Sequence, residues 1–445
     1  MKTLHIRPTP RAGVTLTPQL PGDKSLAHRA AMLASLGTGT TQLHNFPSGA
    51  DNQSTLGVLR ALGIEITGAT GDVRIVGRGL HGYREPQDVL DCGNSGTTMR
   101  MMSGLLAGQS FLSVLTGDAS LRSRPMARVL DPLRTMGAQA DGRDGGRLAP
   151  IVLRGRPLTA SRYTSRVSSA QVKSCLILAS LYAEGKLEFS EPALSRDHTE
   201  RMLRSLGLDL QTAADGSIHL NLPPRNKRDE LLPAFDYTVP ADPSGLAFMA
   251  ALAPLCSGTA SGVGLNPTRL GFFRALQRAG FDLSWDIQTE DRSTLGEPVG
   301  TMHWQAGTGR GSLSLSRAEV VDAIDEMPVL FAIAATLPGR HELRHADELR
   351  TKESDRIAVM AQVLRAAGTP VEEFPDGLVI DGGHTLHAFA FDSHHDHRIV
   401  MAGTVLALLG GVEATIRGGE IAAVSFPDFF KVLADAGLAE VATGD

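Results

Sequence analysis

The sequence predicts an α/β protein with two domains, and three observations lead to that prediction. The chain has 445 residues, which is too long for one ordinary hydrophobic core. Apolar stretches with helical spacing alternate along it with short strand-like runs. This alternation recurs six times, in units that are longer than the repeats of a solenoid protein. We therefore interpret each unit as a compact subdomain and expect three of them in each domain.

Each repeat begins with an apolar helical stretch that ends at a glycine. Successive terminating glycines are 71 to 81 residues apart. The predicted helices cover residues 25–36, 95–107, 169–184, 243–257, 326–338 and 397–409. A strand-like run follows each helix, and a second, amphipathic helix then ends in a tag such as LRALG or LRTMG. Glycine directly after the last turn is a usual terminator of a helix.

Two proline-flanked segments, at residues 20–22 and 239–243, predict the domain boundaries. Cutting the chain there gives an inserted domain of residues 21–240 and a discontinuous domain of residues 1–20 plus 241–445. Each of them holds three repeats. Two chain crossings so close together predict a hinge, and the cleft between two domains is a usual place for a ligand.

The composition is that of a soluble globular protein, with 42% hydrophobic and 20% charged residues. The net charge of −5 and the lack of a basic run argue against binding to nucleic acid. Cys92, Cys175 and Cys256 lie too far apart for a metal motif and indicate reduced thiols. The N-terminus has no signal-peptide pattern, and no apolar run approaches the length of a membrane span. We therefore expect a cytoplasmic protein that binds neither nucleic acid nor membranes.

The stretch LRTKESDR, at residues 349–356, is a dense group of charges, since five of its eight residues are charged. Thr351 is the predicted N-cap of the helix that follows. Lys352, Glu353 and Arg356 are then expected on its first turns, where free backbone N–H groups and the helix dipole favour an anion. The pattern predicts a phosphate or carboxylate site with an acid beside it. The alternative is a solvated helix start with ion pairs.

Further polar residues stand at the starts of the apolar helices. They are Lys24, Ser25, Arg29, Asn94, Ser95, Gly96, Ser168, Ser169, Gln171, Lys173, Asp325, Glu326, Asp396, His397 and Arg398. Equivalent ends of repeated helices should point the same way, so we expect both domains to direct helix N-termini at a shared cleft. Such a cleft concentrates positive potential on an anionic ligand despite the negative net charge. Arg124, which precedes a proline, is a further rigidly presented guanidinium group.

Two motifs resemble other kinds of ligand site. GDKS, at residues 22–25, lacks the upstream glycine of a P-loop, so we do not expect an ATP site. SHHDH, at residues 393–397, has the side chains of a metal site, but no second group of matching character accompanies it. We therefore predict no metal and interpret SHHDH as a polar helix start.

Together these motifs closely resemble the 5-enolpyruvylshikimate-3-phosphate synthase family, whose members are 3-phosphoshikimate 1-carboxyvinyltransferases. The resemblance covers nearly the whole chain. It rests on PGDKSLAHR (21–29), DCGNSGTTMR (91–100), LTGDASLRSRPM (115–126), SAQVKS (169–174), SRDHTERML (195–203), GLNPTR (264–269), IDEMPVL (324–330), LRTKESDR (349–356), DHRIVM (396–401) and SFPDFF (425–430). It implies the two-domain enolpyruvyl transferase fold, an α/β (α+β) architecture in which each domain has three βαβαββ-type repeats around apolar helices.

The resemblance also implies a reaction. The family transfers the enolpyruvyl (carboxyvinyl) group of phosphoenolpyruvate to the 5-hydroxyl of shikimate 3-phosphate and releases phosphate, on the way to chorismate and the aromatic amino acids. No metal or organic cofactor is required. We expect a monomer whose partners are these two small substrates. We also expect inhibition by glyphosate, a zwitterion whose phosphonate and carboxylate can mimic phosphoenolpyruvate.

The resemblance implies three sets of site residues. Those for shikimate 3-phosphate are Lys24, Ser25, Arg29, Ser169, Gln171, Arg196, Asp325 and Lys352. Those for phosphoenolpyruvate are Lys24, Asn94, Gly96, Arg124, Gln171, Arg356 and Arg398. The catalytic set has Asp325 as the base for the 5-hydroxyl and Glu353 as the acid for the methylene carbon, with Lys24 and His397 as helpers. Val424 stands where some members carry a phosphate-contacting lysine, so that contact is absent or supplied elsewhere.

Three alternative functions remain open at this point. The sister enzyme that acts on UDP-N-acetylglucosamine has a reactive cysteine five residues before the arginine of its RP motif, where this chain has Ala119. A non-catalytic phospho-ligand-binding protein of the same fold would not need the pair Asp325 and Glu353. An RNA-end-processing enzyme with related repeats would need a basic stripe, which this acidic chain lacks.

Overall fold

The chain forms two compact units, whose residues pack mainly among themselves. The structure is a computed structural model that describes residues 1–9, 13–160, 162–224, 227–228, 230–290 and 292–444. One unit, here called the discontinuous unit, comprises Met1–Pro21, Ala241–Gln288 and Val299–Asp445. The other, called the inserted unit, comprises Gly22–Pro240 and Thr289–Pro298.

Short strands and helices alternate along both units. The strands are β1 (Thr3–Pro8), β2 (Thr15–Leu16), β3 (Thr38–Phe46), β4 (Glu65–Thr67), β5 (Gly71–Arg78), β6 (Leu90–Asp91), β7 (Leu112–Thr116), β8 (Gln139–Gly142), β9 (Leu148–Arg154), β10 (Arg162–Thr164), β11 (Leu187–Ser190), β12 (Asp209–Thr212), β13 (Ile218–Asn221), β14 (Asp236–Thr238), β15 (Ser257–Gly264), β16 (Leu283–Thr289), β17 (Val299–Trp304), β18 (Gly339–Leu343), β19 (Val371–Phe374), β20 (Gly377–Gly382), β21 (Phe389–Asp392), β22 (Ala414–Arg417) and β23 (Ala439–Gly444). The helices are α1 (Lys24–Leu36), α2 (Ala50–Ala61), α3 (Gly96–Ala107), α4 (Ala127–Thr135), α5 (Arg143–Gly146), α6 (Ala170–Ser180), α7 (His198–Ser205), α8 (Pro243–Ala250), α9 (Gly271–Arg278), α10 (Arg317–Asp322), α11 (Met327–Thr336), α12 (Arg356–Ala366), α13 (His397–Gly410) and α14 (Phe429–Asp435).

The inserted unit contains three four-stranded sheets with the same topology. Their strand orders are β14-β3-β5-β4, β6-β7-β9-β8 and β10-β11-β13-β12. In each sheet the first two strands are parallel and the remaining neighbours are antiparallel. In the second and third sheets a central helix connects the parallel pair, as a parallel crossover requires. In the first sheet the edge strand β14 comes from the far end of the unit.

The discontinuous unit repeats this plan around the helices α8, α11 and α13. Its sheets have the orders β16-β17-β15-β2, β18-β20-β19 and β21-β22-β1-β23. The N-terminal strand β1 lies inside the last sheet, antiparallel to both β22 and β23. The first residues of the chain therefore complete the last repeat, which is why they belong to this unit.

The central helices are apolar on all sides and form the cores. Nearly every residue of α1, α3, α6, α8, α11 and α13 is buried, as expected for helices that are enclosed by sheets. Their ends differ from the predicted ones. The helix predicted over 169–184 ends at Ser180, and the helix predicted over 243–257 ends at Ala250, with turns after it and Ser257 already in β15.

One segment corrects the predicted boundaries. Residues 289–298 were expected in the discontinuous domain, but they pack with the inserted unit. Oε1 of Glu297 lies 2.7 Å from Nδ1 of His198, and both side chains are almost fully buried. Leu295 joins the core of the inserted unit. The prediction failed here because a linear cut cannot anticipate where the connection between β16 and β17 packs.

Within the described residues, the search for a helix with both the length and the apolar character of a membrane span finds none.

Candidate active site

The N-terminal end of α1 positions three of the predicted residues. Asp23 caps the helix, and its carboxylate accepts a backbone N–H of the first turn at 2.9 Å. Lys24 is the first helical residue, and its Nζ lies 3.0 Å from Oδ2 of Asp51. Ser25 and Arg29 are one turn apart, and Nη1 of Arg29 donates to the carbonyl of Ser25 at 2.9 Å.

Arg29 is held by hydroxyl groups from two other helices. Its Nε donates to Oγ1 of Thr199 at 2.8 Å, and its Nη2 donates to Oγ of Ser174 at 3.0 Å. Burial is the main cause that lowers the pKa of Arg29 to about 10, while Glu200 and Asp23 oppose the shift and Arg196 adds to it. The guanidinium groups of Arg29 and Arg196 are thus close enough to act on each other, and paired guanidinium groups are suited to an anion such as a phosphate group.

The start of α3 joins three more predicted residues. Arg124 donates to the backbone carbonyl of Asn94 at 3.2 Å and also to its side-chain oxygen. Nδ2 of Asn94 donates in turn to Asp118 at 2.7 Å. Gly96 is the first residue of α3, and a methyl group there would lie 3.0 Å from Nη1 of Arg100 and 3.5 Å from Nη1 of Arg124. The missing side chain therefore leaves space directly beside two guanidinium groups.

The start of α6 contacts the first turns of α3. Ser169 is the N-cap residue of α6, and Gln171 lies in its first turn. Oε1 of Gln171 accepts from Arg100 at 2.6 Å, and its Nε2 donates to Thr97 at 2.9 Å. Arg100 was not predicted as a site residue. It follows Gly96 by four residues and so lies on the same face of α3, which is the signal that could have identified it.

In the discontinuous unit, Arg356 is the centre of a buried ion cluster. Its side chain is 1% exposed. Nε donates to Asp396 at 2.8 Å, Nη2 donates to Glu353 at 2.7 Å, and Nη1 lies 3.5 Å from Oδ1 of Asp325. Burial lowers the pKa of Arg356, but Asp396, Glu353 and Asp325 more than offset that effect and raise it above its usual value. The guanidinium group therefore stays charged and holds three carboxylates.

Asp325 has a second cationic neighbour. Nη1 of Arg398 donates to the backbone carbonyl of Asp325 at 2.7 Å, and Nη2 lies 3.7 Å from its carboxylate. The side chains of Asp325 and Glu353 remain 17% and 16% exposed, so both can meet a ligand. His397 begins α13 and is buried. The structure thus brings Asp325, Glu353, Arg356 and Arg398 together within this unit.

Asp396, which from the sequence was predicted only as part of a polar helix start, holds Arg356 in place. Its side chain is fully buried and caps α13 by accepting the backbone N–H of Arg398 at 3.0 Å. It also accepts from Ser354 at 3.0 Å, in addition to Arg356. This carboxylate of the SHHDH motif is therefore engaged by the guanidinium group of Arg356, the hydroxyl of Ser354 and the backbone N–H of Arg398. In the part of the chain that the structure describes, no group of three or more His, Cys, Asp and Glu side chains could hold a metal ion.

The predicted N-cap at Thr351 is wrong. α12 begins at Arg356, because the carboxylate of Asp355 accepts a backbone N–H of the first turn at 3.0 Å. The hydroxyl of Thr351 instead donates to a carbonyl of its own 3-10 turn. Lys352 and Glu353 therefore precede the helix, and only Arg356 lies in its first turn.

Two cations of the LRTKESDR motif form partly exposed ion pairs, as expected from the alternative interpretation of this stretch as a solvated helix start. Nζ of Lys352 lies 3.0 Å from the carboxylate of Glu348, and Nη1 of Arg350 lies 2.7 Å from that of Asp355. The four side chains are between 22% and 38% exposed. The motif thus combines a buried ion cluster at one end with ordinary surface pairs at the other.

Two sets of three βαβαββ-type repeats, with cations and carboxylates at the starts of their central helices, define the class of the two-domain enolpyruvyl transferases. The enolpyruvyl transferase NikO from Streptomyces tendae has this fold. It aligns with 100% of this chain and 99% of its own at a TM-score of 0.75, with 16% sequence identity.

Closer similarities establish the family. The family model of EPSP synthase (3-phosphoshikimate 1-carboxyvinyltransferase) matches residues 9–433. The 3-phosphoshikimate 1-carboxyvinyltransferase of Geotalea uraniireducens is 44% identical over 436 residues, which cover 97% of this chain and 99% of that protein. Its counterpart in Synechococcus sp. is 46% identical over 432 residues, covering 96% and 95%. The EPSP synthase structure from Acinetobacter baumannii has a TM-score of 0.83 at 37% identity and covers 99% of this chain and 100% of its own.

The chain belongs to the EPSP synthase family. It is therefore an enzyme of the shikimate pathway that transfers a carboxyvinyl group to 3-phosphoshikimate, and the predicted fold class and reaction are confirmed.

Proposed function

We propose that Asp325 and Glu353 carry the proton transfers by which this enzyme joins the carboxyvinyl group of phosphoenolpyruvate to the 5-hydroxyl of shikimate 3-phosphate. The observation that carries the proposal is that both carboxylates contact the same buried guanidinium group, that of Arg356, yet stay partly exposed. The addition needs a base for the hydroxyl proton and an acid that protonates the methylene carbon. Two fixed and accessible carboxylates meet that need, with Asp325 as the base and Glu353 as the acid.

The release of phosphate completes the reaction. The carbon–oxygen bond to phosphate breaks, the methyl group loses a proton, and the vinyl ether remains. Lys24 is proposed to stabilise the phosphate that leaves, because it is the first residue of α1 and so stands at a helix N-terminus, which favours an anion. His397, buried at the start of α13, is proposed as a helper in proton transfer. No metal or organic cofactor is proposed.

Phosphoenolpyruvate carries a phosphate and a carboxylate, and these groups require several charge-assisted donors. We assign them to Lys24, Asn94, Gly96, Arg124, Gln171, Arg356 and Arg398. Arg124 supports the assignment because its guanidinium group is fixed by Asn94 rather than mobile. Gly96 supports it because it leaves space beside Arg124.

Shikimate 3-phosphate is assigned to Lys24, Ser25, Arg29, Ser169, Gln171, Arg196, Asp325 and Lys352. The pair Arg29 and Arg196 is proposed to hold its phosphate ester, because the two guanidinium groups are close enough to act on each other and can donate together to one phosphate. Asp325 and Lys352 are proposed to contact the ring hydroxyls. All of these residues belong to one chain, so we expect a monomer to be active.

The chemistry of the sister enzyme on UDP-N-acetylglucosamine is not favoured, because it needs a reactive thiolate. The three cysteines, Cys92, Cys175 and Cys256, are all buried and free. Burial raises the pKa of each thiol, so each stays protonated at neutral pH. Such reduced and buried thiols support our proposal of a cytoplasmic enzyme.

The experiment that tests the function is a phosphate-release assay with both substrates and with each one omitted in turn. We expect release only when phosphoenolpyruvate and shikimate 3-phosphate are present together. Release with UDP-N-acetylglucosamine in place of shikimate 3-phosphate would favour the sister enzyme, and tight binding without release would favour a binding protein.

A further inference from the structure

Lys173 is a buried cation near a helix start that the proposed reaction does not use. It lies in the first turns of α6, and its side chain is completely buried. Its Nζ lies 3.0 Å from Oε1 of Glu191 and 2.8 Å from Oε1 of Glu200, and it donates to the backbone carbonyl of Ser195 at 2.8 Å. Both carboxylates are as buried as the lysine. The ammonium group therefore has three oxygen partners from two separate segments.

The partners of Lys173 immobilise the residue that precedes Arg196. Oε1 of Glu191 accepts the backbone N–H of Ser195 at 2.8 Å and its hydroxyl at 2.9 Å. With the bond from Lys173 to the carbonyl, all three polar groups of Ser195 are engaged. The backbone is thus held at the N–H and at the carbonyl of Ser195, and this carbonyl belongs to the peptide bond that leads into Arg196.

The second carboxylate connects the cluster to Arg29. Glu200 lies next to Thr199 in the first turn of α7, and Oγ1 of Thr199 accepts from Arg29 at 2.8 Å. Ser174, the neighbour of Lys173 on α6, contacts Thr199 at 2.7 Å and accepts from Arg29 at 3.0 Å. Lys173 therefore joins α6 to α7 directly beside the contacts that orient Arg29.

The charges explain why a lysine stands there. Glu191 and Glu200 are two buried anions, and removing a buried partner charge is strongly destabilising. Burial lowers the pKa of Lys173, but Glu200 and Glu191 more than compensate, so the ammonium group stays charged. Burial also raises the pKa of Glu200, an effect that Lys173 counteracts. A buried ion pair adds little net stability compared with apolar residues of similar volume, so stability alone does not account for this cluster.

We infer that Lys173 is a positioning residue for the phosphate ester of shikimate 3-phosphate: through Ser195 and Glu200 it sets the geometry of Arg196 and Arg29. The inference rests on the proposed function, in which these two guanidinium groups bind that phosphate. Lys173 itself does not touch the substrate.

The test uses two variants of the full chain and one matched control. Lys173→Met removes the cation alone. Lys173→Gln combined with Glu200→Gln removes one cation and one anion, so the net charge of the cluster is unchanged. The control is Arg228→Gln, because Arg228 is also buried and donates to the carbonyls of Leu181 and Ala183 at the opposite end of α6.

The measurements are thermal unfolding, the dissociation constant for shikimate 3-phosphate by titration calorimetry, and the KM for each substrate. In the double variant we expect affinity for shikimate 3-phosphate to fall about tenfold to a hundredfold, the range for lost hydrogen bonds to charged groups. The KM for phosphoenolpyruvate should change less than about threefold, since Gln171 is the one proposed ligand on α6 and its side-chain hydrogen bonds are with Arg100 and Thr97 rather than with the cluster. Arg228→Gln should lower the melting temperature without weakening binding of shikimate 3-phosphate.

Each other outcome contradicts the inference. A folded double variant that binds shikimate 3-phosphate like the parent would overturn it, and so would equal loss of affinity in Arg228→Gln. If neither Lys173 variant folded, the cluster would serve stability and the positioning role would be rejected. A parent protein that fails to bind shikimate 3-phosphate would instead overturn the proposed function, on which the inference rests.

Discussion

Asp396→Asn should destabilise the protein far more than the same change at Asp355, although both residues are helix N-caps. Each carboxylate accepts one backbone N–H of its helix at 3.0 Å, and asparagine is about as good an N-cap as aspartate. The substitution therefore keeps the cap and removes only the charge. Asp355 shares its charge with Arg350 at a partly exposed site, whereas Asp396 shares it with Arg356 in full burial.

The size of the effect follows from the contacts of the two oxygens of Asp396. Oδ1 accepts from the backbone of Arg398 and from Nη2 of Arg356, and an amide oxygen can replace it. Oδ2 accepts from Nε of Arg356 at 2.8 Å and from Ser354 at 3.0 Å. In the asparagine variant an amide NH₂ group would face that guanidinium N–H, and a buried cation would lose its closest anion. Breaking a buried ion pair in this way costs about 3 to 5 kcal/mol.

The assay compares thermal unfolding of the parent, Asp396→Asn and Asp355→Asn, together with the KM for phosphoenolpyruvate. We expect the melting temperature of Asp396→Asn to fall by about 6 to 20 °C, at roughly 2 to 4 °C per kcal/mol for domains of this size. Asp355→Asn should cost about 1 kcal/mol or less, as partly exposed ion pairs do. The KM should rise only in Asp396→Asn, because Arg356 would lose its orientation. Equal destabilisation of the two variants would refute this reasoning.

Three further predictions follow from the described contacts. Asp325→Asn and Glu353→Gln should each lower kcat by about 100- to 10,000-fold with little change in substrate binding, and near-normal turnover in both variants would contradict their roles. Gly96→Ala should weaken inhibition by glyphosate about fivefold to a hundredfold, and weaken phosphoenolpyruvate less, because the new methyl group lies 3.0 Å from an Arg100 guanidinium that Gln171 holds in place; equal shifts for both ligands in competition kinetics would disprove this explanation. Burial lowers the pKa of His28 from 6.5 to about 3, so below pH 6.5 the unfolded chain binds a proton that the folded chain excludes. The contribution of His28 to the free energy of unfolding should be fully present above pH 6.5 and lower by about 2 kcal/mol at pH 5, and His28→Gln should abolish that difference in urea unfolding.

Local patterns in the sequence were enough to predict the repeats, the central helices and the charged residues at their starts. Periodicity and glycine terminators act within a few residues of each other, so they can be read without knowledge of the fold. The resemblance of the motifs then identified the family, which the comparisons confirm. Among the proposed ligands, the structure shows local contacts between Arg124 and Asn94 and between Arg356 and Glu353, but these contacts do not by themselves assign a substrate.

Other features depend on residues that are far apart along the chain. β1 pairs with β22 and β23, more than 400 positions away, and Asp396 accepts a hydrogen bond from Arg356, forty positions earlier in the chain. The helix start at Arg356 was misplaced because Thr351 and Asp355 are both acceptable caps by residue type. In the fold the carboxylate of Asp355 accepts the first-turn N–H, while Thr351 bonds within its own turn. Spacing along the sequence shows which residues share one helix face. Packing between distant segments decides which strands pair, which counter-ions a buried charge has and which of two possible residues caps a helix, and only the tertiary structure specifies that packing.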